Sequence, residues 1–202
     1  VAPAFTFLVT TDNHLGYKQD DLLRRKDSFM AFSEALEIAR GRNVDFILLG
    51  GDLFHVNRPS SAVEHKCIKI IRQHINAQAD RGPSFKRVSG EFSHFERIKH
   101  ANFEDSNLKV AHPIMTIHGN HDDPTGPNAR SVCEKLATCG LLNYFGAYKI
   151  QAKEVEIAPI ILEKDGIKIA LYGMGFVPDV KLRSAFDRGE VRFVNPPKDT
   201  FN

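Results

Sequence analysis

The 202-residue chain is poor in cysteine and has no long hydrophobic run, and each shortage narrows what it can be. Its three cysteines, Cys67, Cys133 and Cys139, form no C-x-x-C pair and fall in segments with helical periodicity, which points to a reduced intracellular protein whose thiols simply pack. No apolar stretch approaches the ~20 residues that would span a bilayer, so no membrane segment is expected. The opening Val1 to Val9 lacks a basic start and a small-residue cleavage site, and reads as a strand, not a signal peptide. There is no internal repeat, no low-complexity tract and no visible nuclear localisation signal. Net charge is only +2, so any nucleic-acid binding must be local. What is present, 42% hydrophobic residues, suits one well-buried core.

The organising stretch is Phe46-Ile47-Leu48-Leu49-Gly50-Gly51-Asp52-Leu53-Phe54-His55. Four apolar residues closed by paired glycines read as a short strand covered on both faces. The glycines let the backbone turn sharply and deliver Asp52 at the strand's carboxyl end, where open α/β sheets gather ligands. Phe5 to Thr11 likewise runs into Asp12-Asn13-His14, and Pro113 to Ile117 runs into His118-Gly119-Asn120-His121-Asp122. If parallel and adjacent, three such strands bring carboxylate, amide oxygen and imidazole to one sheet edge, a donor set that manganese, iron or zinc accepts. A carboxylate such as Asp52 can bridge two cations, and paired ions roughly 3.5 to 4 Å apart are the usual machinery for in-line attack on a phosphodiester.

Between these motifs the pattern is strand, helix, strand. Phe29, Phe32, Leu36 and Ala39 recur at helical spacing, with Asp27 or Ser28 available as cap and Gly41 as stop, which makes a βαβ crossover and a parallel pair. A second helix is expected from about Ser61 to Ala77, with more apolar surface than one stripe needs; its own core or a partner chain would take the excess. From Gln78 to Asn107 periodicity dissolves, as in an insertion with a job, and Phe85, Phe92, Phe95 and Phe103 would anchor it to its own domain or to another protein. A helix from about Asn128 to Cys139 follows Pro124-Thr125-Gly126. Asp165-Gly166 marks a hairpin, ahead of a short helix around Val180 to Arg188 and a strand from Val191 to Val194. Lys18, Arg24, Arg25 and Lys26 follow the first motif and either line the mouth of the site or form a solvated flank.

Alone, Asp12-x-His14 and Gly50-Gly51-Asp52 are ordinary turn chemistry. Nothing in turn chemistry asks for His and Asp after Gly-Asn, and all three motifs in order, each after an apolar run, leave a purely structural account little room. Together they resemble the calcineurin-like metallophosphoesterases. Asp12 to Gly16, Gly50 to His55 with Arg58-Pro59-Ser60, and His118 to Gly126 are similar in particular to the eukaryotic meiotic recombination eleven nucleases of double-strand-break repair. Asn143-Tyr144-Phe145-Gly146 and Ile169 to Met174 carry the resemblance over nearly all of the chain. The phosphoprotein phosphatases have Asp-Arg-Gly after the second acid, where this chain has Leu53-Phe54-His55.

The resemblance implies an α/β fold of mixed sheets, a four-layer αββα sandwich truncated at its C-terminal side, with residues 1–202 a partial nuclease domain, an insertion at about 78–107 and no capping domain. It implies two Mn2+ ions: Asp12 and His14 hold one, Asp52 bridges both, and Asn120 binds the second. His121 would stabilise the phosphate or the leaving oxygen, Asp122 would orient the His121 imidazole, and His55 would assist phosphate handling. His118 reads as a core histidine, and Asp20, Asp21, His65 and His74 as surface. Implied partners are DNA, a second copy through helices at about 61–77 and 128–139, nibrin through about 78–107, and a coiled-coil ABC-type ATPase mainly outside this chain, all in the nucleus. The family completes its metal shell with three later histidines, whereas the last histidine here is His121. A fragment with little or no turnover is therefore expected. Its rivals are a non-catalytic dimerisation and nibrin-binding module, or another metallophosphoesterase such as a phosphatase.

Overall fold

The three apolar runs that end in Asp, Asn and His are neighbouring strands of one parallel sheet. The computed structural model describes residues 4–75, 82–90, 100–125, 130–148 and 154–201. In chain order the elements are β1 (Phe7–Thr10), α1 (Asp27–Gly41), β2 (Phe46–Leu49), α2 (Ser61–Ile75), β3 (Lys86–Ser89), β4 (Ile114–Thr116), α3 (Val132–Thr138), β5 (Asn143–Tyr144), β6 (Val155–Ile157), β7 (Ile160–Lys164), β8 (Ile167–Leu171), α4 (Asp179–Asp187), β9 (Val191–Phe193) and β10 (Thr200–Phe201). The first sheet has the order β1-β2-β4-β5, all parallel, with Leu8 beside Ile47 and Ile47 beside Ile114. Short connections at one end of that sheet therefore carry all three motifs.

Alternation along β2 divides the core. Ile47 and Leu49 face α1, α2 and α3 in one buried cluster with Phe32, Leu36, Ile71 and Leu136. Phe46 and Leu48 face the other way, toward Phe85, Met115, Ile160 and Leu162. That second cluster joins the parallel sheet to a mixed sheet of order β10-β8-β7-β3. Helices, parallel sheet and mixed sheet are thus stacked in the manner of a metallophosphoesterase, each fully buried Phe, Ile or Leu contributing roughly 1.5–3 kcal/mol. Asp45, just before β2, reaches Lys164 of β7 at 2.7 Å, and also accepts hydrogen bonds from Ser84 and the Thr6 backbone.

Several local expectations are corrected. Helix α1 starts after Lys26 with no side-chain cap; Asp27 pairs with Arg24 at 3.1 Å instead, while the helix ends at Gly41 as expected and Asn43 takes the left-handed turn at φ 50°. The surplus apolar residues of α2, Ile68 and Ile70, pack on the core. The helix expected from 128 begins at Val132, where the Ser131 hydroxyl accepts the Cys133 N–H; residues 126–129 lie outside the described part, as does the end of the second predicted helix at 76–77. Within the segment expected to lack pattern, Lys86–Ser89 is an edge strand paired with β7. Phe85 and Phe103 anchor that segment to its own domain, their rings 5.1 Å apart, whereas Phe92 and Phe95 lie outside the described residues. The Asp165-Gly166 hairpin forms with both residues at positive φ, as a type I′ turn requires.

Candidate metal centre

Three of the residues singled out as ligands adopt a conformation that costs energy. Asp12, His14 and Asp52 have φ of 55°, 45° and 51°, the left-handed region that non-glycine residues avoid at roughly 1–3 kcal/mol each. The turns are held there by backbone bonds between the first two motifs: Asp12 N–H to Gly51 O at 3.2 Å, His14 N–H to Asp52 O and Leu15 N–H to Leu53 O, both at 2.9 Å. The turns bring the three side chains together. His14 Nε2 lies 3.6 Å from Asp12 Oδ1 and 4.0 Å from Asp52 Oδ2, and the three ligand atoms all fall within 4.8 Å of one another. Donors about 2 Å from an ion span roughly 4 Å across it, so a small inward rotation would close this set on one cation.

Glycine is obligatory where the second and third motifs meet. A Cβ on Gly119 would lie 2.6 Å from the Asp52 backbone nitrogen and collide with its carboxylate, and one on Gly51 would lie 2.8 Å from Gly119 N. The close approach lets the His121 N–H donate to Asp52 Oδ1 at 2.8 Å, which leaves Oδ2 facing His14. Asn120 lines the same cleft of about 240 Å³ as Asp12 and Asp52. Asp52 is buried, His14, His55 and His121 half-buried, and Asp12 and Asn120 exposed at the mouth. The mixture of two carboxylates, an amide and an imidazole fits a divalent cation that takes oxygen with some nitrogen.

The histidines are clustered. His121 Nδ1 donates to the His55 carbonyl at 2.6 Å, so its Nε2 carries the lone pair in the neutral ring. The His55 and His121 rings stack at 5.2 Å, and Tyr17, unremarked in the sequence, meets the His55 ring edge-on at 4.9 Å. Burial, then the neighbouring His121 and His14, hold the His55 pKa below its ordinary value, while Asp52 pulls the other way.

Asp122 does not orient the His121 imidazole, contrary to expectation. Fully buried, it accepts N–H groups from Leu53 at 2.7 Å, Gly119 at 2.7 Å and Phe54 at 3.4 Å, and so binds the second and third motif loops together. Burial pushes its pKa up, partly countered by those three donors. Its carboxylate is taken up by these loop amides and by the Cys133 thiol, 3.7 Å from Oδ2. His118 is buried, as expected, with Nδ1 2.7 Å from the Tyr144 hydroxyl. His74, expected at the surface, is buried between α1 and α2 with Nε2 3.1 Å from Ser33 Oγ.

Sequence reasoning missed the far wall of the cleft. Met174 and Phe176, between β8 and α4, face the motif loops; Phe176 N–H donates to His118 O at 3.0 Å. Gly175 is the one available signal, because a side chain there would run into the His118 ring.

The profile of the calcineurin-like phosphoesterase family matches residues 5–197. The chain belongs to that family. As a calcineurin-like phosphoesterase it uses divalent metal, and its curated relatives are consistent in kind. It is 43% identical over 197 residues to the double-strand break repair protein MRE11 of Gallus gallus, covering 96% of this chain and 28% of that protein. The MRE11 of Homo sapiens is 39% identical over 197 residues, covering 96% and 27%, and that of Arabidopsis thaliana 42% over 184, covering 89% and 25%. The phosphoesterase chain thus spans about a quarter of the length of these relatives.

Proposed function

We propose that this chain is catalytic polypeptide of a manganese-dependent DNA nuclease of double-strand-break repair, which hydrolyses phosphodiester linkages with two cations. The observation that carries the reading is the convergence of Asp12, His14 and Asp52 within 4.8 Å, in strained turns at one sheet edge. Asp12 and His14 would hold one Mn2+, Asp52 both, and Asn120 the other. Bound cations would neutralise phosphate charge and lower the pKa of water. His121, its Nδ1–H committed to the His55 carbonyl, keeps Nε2 as its free ring nitrogen, which accepts a proton in the neutral ring and, as imidazolium, would donate to a phosphate oxygen or to the leaving oxygen. His55, stacked on it, steadies that ring. Asp122 fixes the loops from behind.

Asp12, His14 and Asp52 would be three donors toward one cation, and Asp52 and Asn120 two toward the other. The test is cleavage of labelled duplex and of a chromogenic phosphodiester in manganese, with a phosphomonoester as contrast. Weak phosphodiester cleavage abolished in Asp52→Ala supports the reading; activity confined to the monoester would make it a phosphatase.

The same reading makes DNA a partner, met by the exposed Lys18, Arg25 and Lys26 beside the first motif. It assigns a second copy to the outer faces of α2 and α3, nibrin to the 78–107 segment, and a coiled-coil ATPase to parts outside this chain, in the nucleus. The polar outer face of α2, with Lys66, Lys69 and Arg72 exposed, would make such a dimer depend on salt. Sedimentation at rising salt, with and without a nibrin peptide, tests both contacts; a monomer at every concentration removes the dimer.

A further inference from the structure

His14 stands between two different donor sets, and its two ring nitrogens face one each. Nε2 looks toward the carboxylates of Asp12 and Asp52, at 3.6 and 4.0 Å. Nδ1 looks the other way, 3.4 Å from His55 Nδ1. One ring nitrogen from each of His14, His55 and His121 also lies within 4.8 Å of the other two. The His14 and His121 rings meet edge-on at 4.8 Å, and the His14 and His55 rings edge-on at 5.4 Å. His121 is already fixed as the Nδ1–H tautomer by the His55 carbonyl, the outer hydrogen bond that ligating histidines usually carry.

We propose that His14, His55 and His121 form a separate, all-imidazole cation site that takes zinc, or nickel in its place, and that filling it excludes a cation from the Asp12 and Asp52 side. Three neutral imidazoles with an open fourth position are a zinc-type donor set, whereas manganese binds such nitrogen sets weakly and prefers oxygen. Exclusion follows from the shared residue. A neutral imidazole has one lone pair, so His14 serves a cation through Nδ1 or through Nε2 but not both. The choice of metal thereby selects the tautomer of His14. Zinc in the triad would also occupy the one free ring nitrogen of His121, so the site is inhibitory in effect, although its existence does not depend on any activity.

Direct binding of the metal-stripped chain tests this, with zinc chloride followed by calorimetry and manganese by the paramagnetic signal of the free ion. In the unsubstituted chain one equivalent of zinc should release bound manganese. His55→Ala should weaken zinc tenfold or more while changing manganese affinity less than twofold. Asp12→Ala should do the reverse, and His14→Ala should weaken both. Circular dichroism confirms folding of each variant, and His55→Gln, which keeps the bulk without a ring nitrogen, should behave as His55→Ala does. Zinc affinity unchanged in both His55 variants, or zinc and manganese bound at the same time, would overturn the proposal. Loss of manganese binding in Asp12→Ala with the zinc result absent would remove the triad and leave the carboxylate site standing.

Discussion

The Asp52 carboxylate accepts the backbone N–H of His121 at 2.8 Å, so the acid of the second motif is positioned by the loop of the third. The bond exists because Gly119 lets the two loops touch. Gly119→Ala would drive a methyl group into that carboxylate, and overpacking of this kind costs typically 1–3 kcal/mol. The expected outcome is a thermal midpoint several degrees lower, together with at least a tenfold loss of manganese affinity. Calorimetry and metal titration on the same sample check it; unchanged metal affinity would detach Asp52 from the site.

How much of this was visible beforehand depends on where the cause lies. The parallel pairing of β1 with β2 was legible, since a strand-helix-strand order makes a crossover; the place of β4 beside them was assumed from the donors at its end, because α2 and a strand of the other sheet intervene. Asp122 was misread because its work is done on backbone amides of Leu53 and Phe54, 69 and 68 positions away, which no residue pattern records. Strand β3 was missed because Lys-Arg-Val-Ser at a sheet edge has neither a buried run nor clean alternation. The same limit hides edge exposure: β1 has three apolar residues of four, yet Phe7 and Val9 are 46% and 60% exposed.

Asp122→Ala should unfold the chain more readily than loss of a cation ligand does. It would leave three loop N–H groups without their acceptor, at about 1–3 kcal/mol for each that stays buried. Asp12→Ala, at an exposed position, should cost far less. Urea denaturation in chelator compares the two variants directly, and equal midpoints would mean that Asp122 does not hold the loops.

The bridge between Asp45 and Lys164 should govern acid stability. Burial raises the Asp45 pKa, but Lys164, Ser84 and the Thr6 amide more than offset it, so the folded-state value is lowered. A lowered carboxyl contributes stability above its unfolded pKa and loses it as pH falls through the folded value, below about 3.8. Lys164→Met leaves the buried carboxylate unpaired and should destabilise the protein at neutral pH by about 3 kcal/mol. Its acid limb should also be shallower, because the folded pKa rises toward the unfolded one. Denaturant midpoints from pH 2.5 to 7 measure both effects.

His74 should impose the opposite of tolerance to mild acid. Its ring is buried between α1 and α2, with Nε2 at Ser33 and Nδ1 without a partner among the described residues. Burial and the nearby Arg40 lower its pKa against the pull of Glu37, so the folded chain keeps the ring neutral while the unfolded chain protonates near 6.5. Between those values the unfolded state binds more protons, and stability must therefore fall as pH drops below about 6.5. His118, also buried with a lowered pKa, adds to the same slope, so removing one ring should reduce it without abolishing it. His74→Leu is expected to flatten the dependence between pH 7 and 5 and to leave manganese affinity unchanged, since the residue lies in the helix layer away from the motif loops. Thermal midpoints across that range, compared with the unsubstituted chain, decide it: parallel curves would mean that His74 is as readily protonated folded as unfolded.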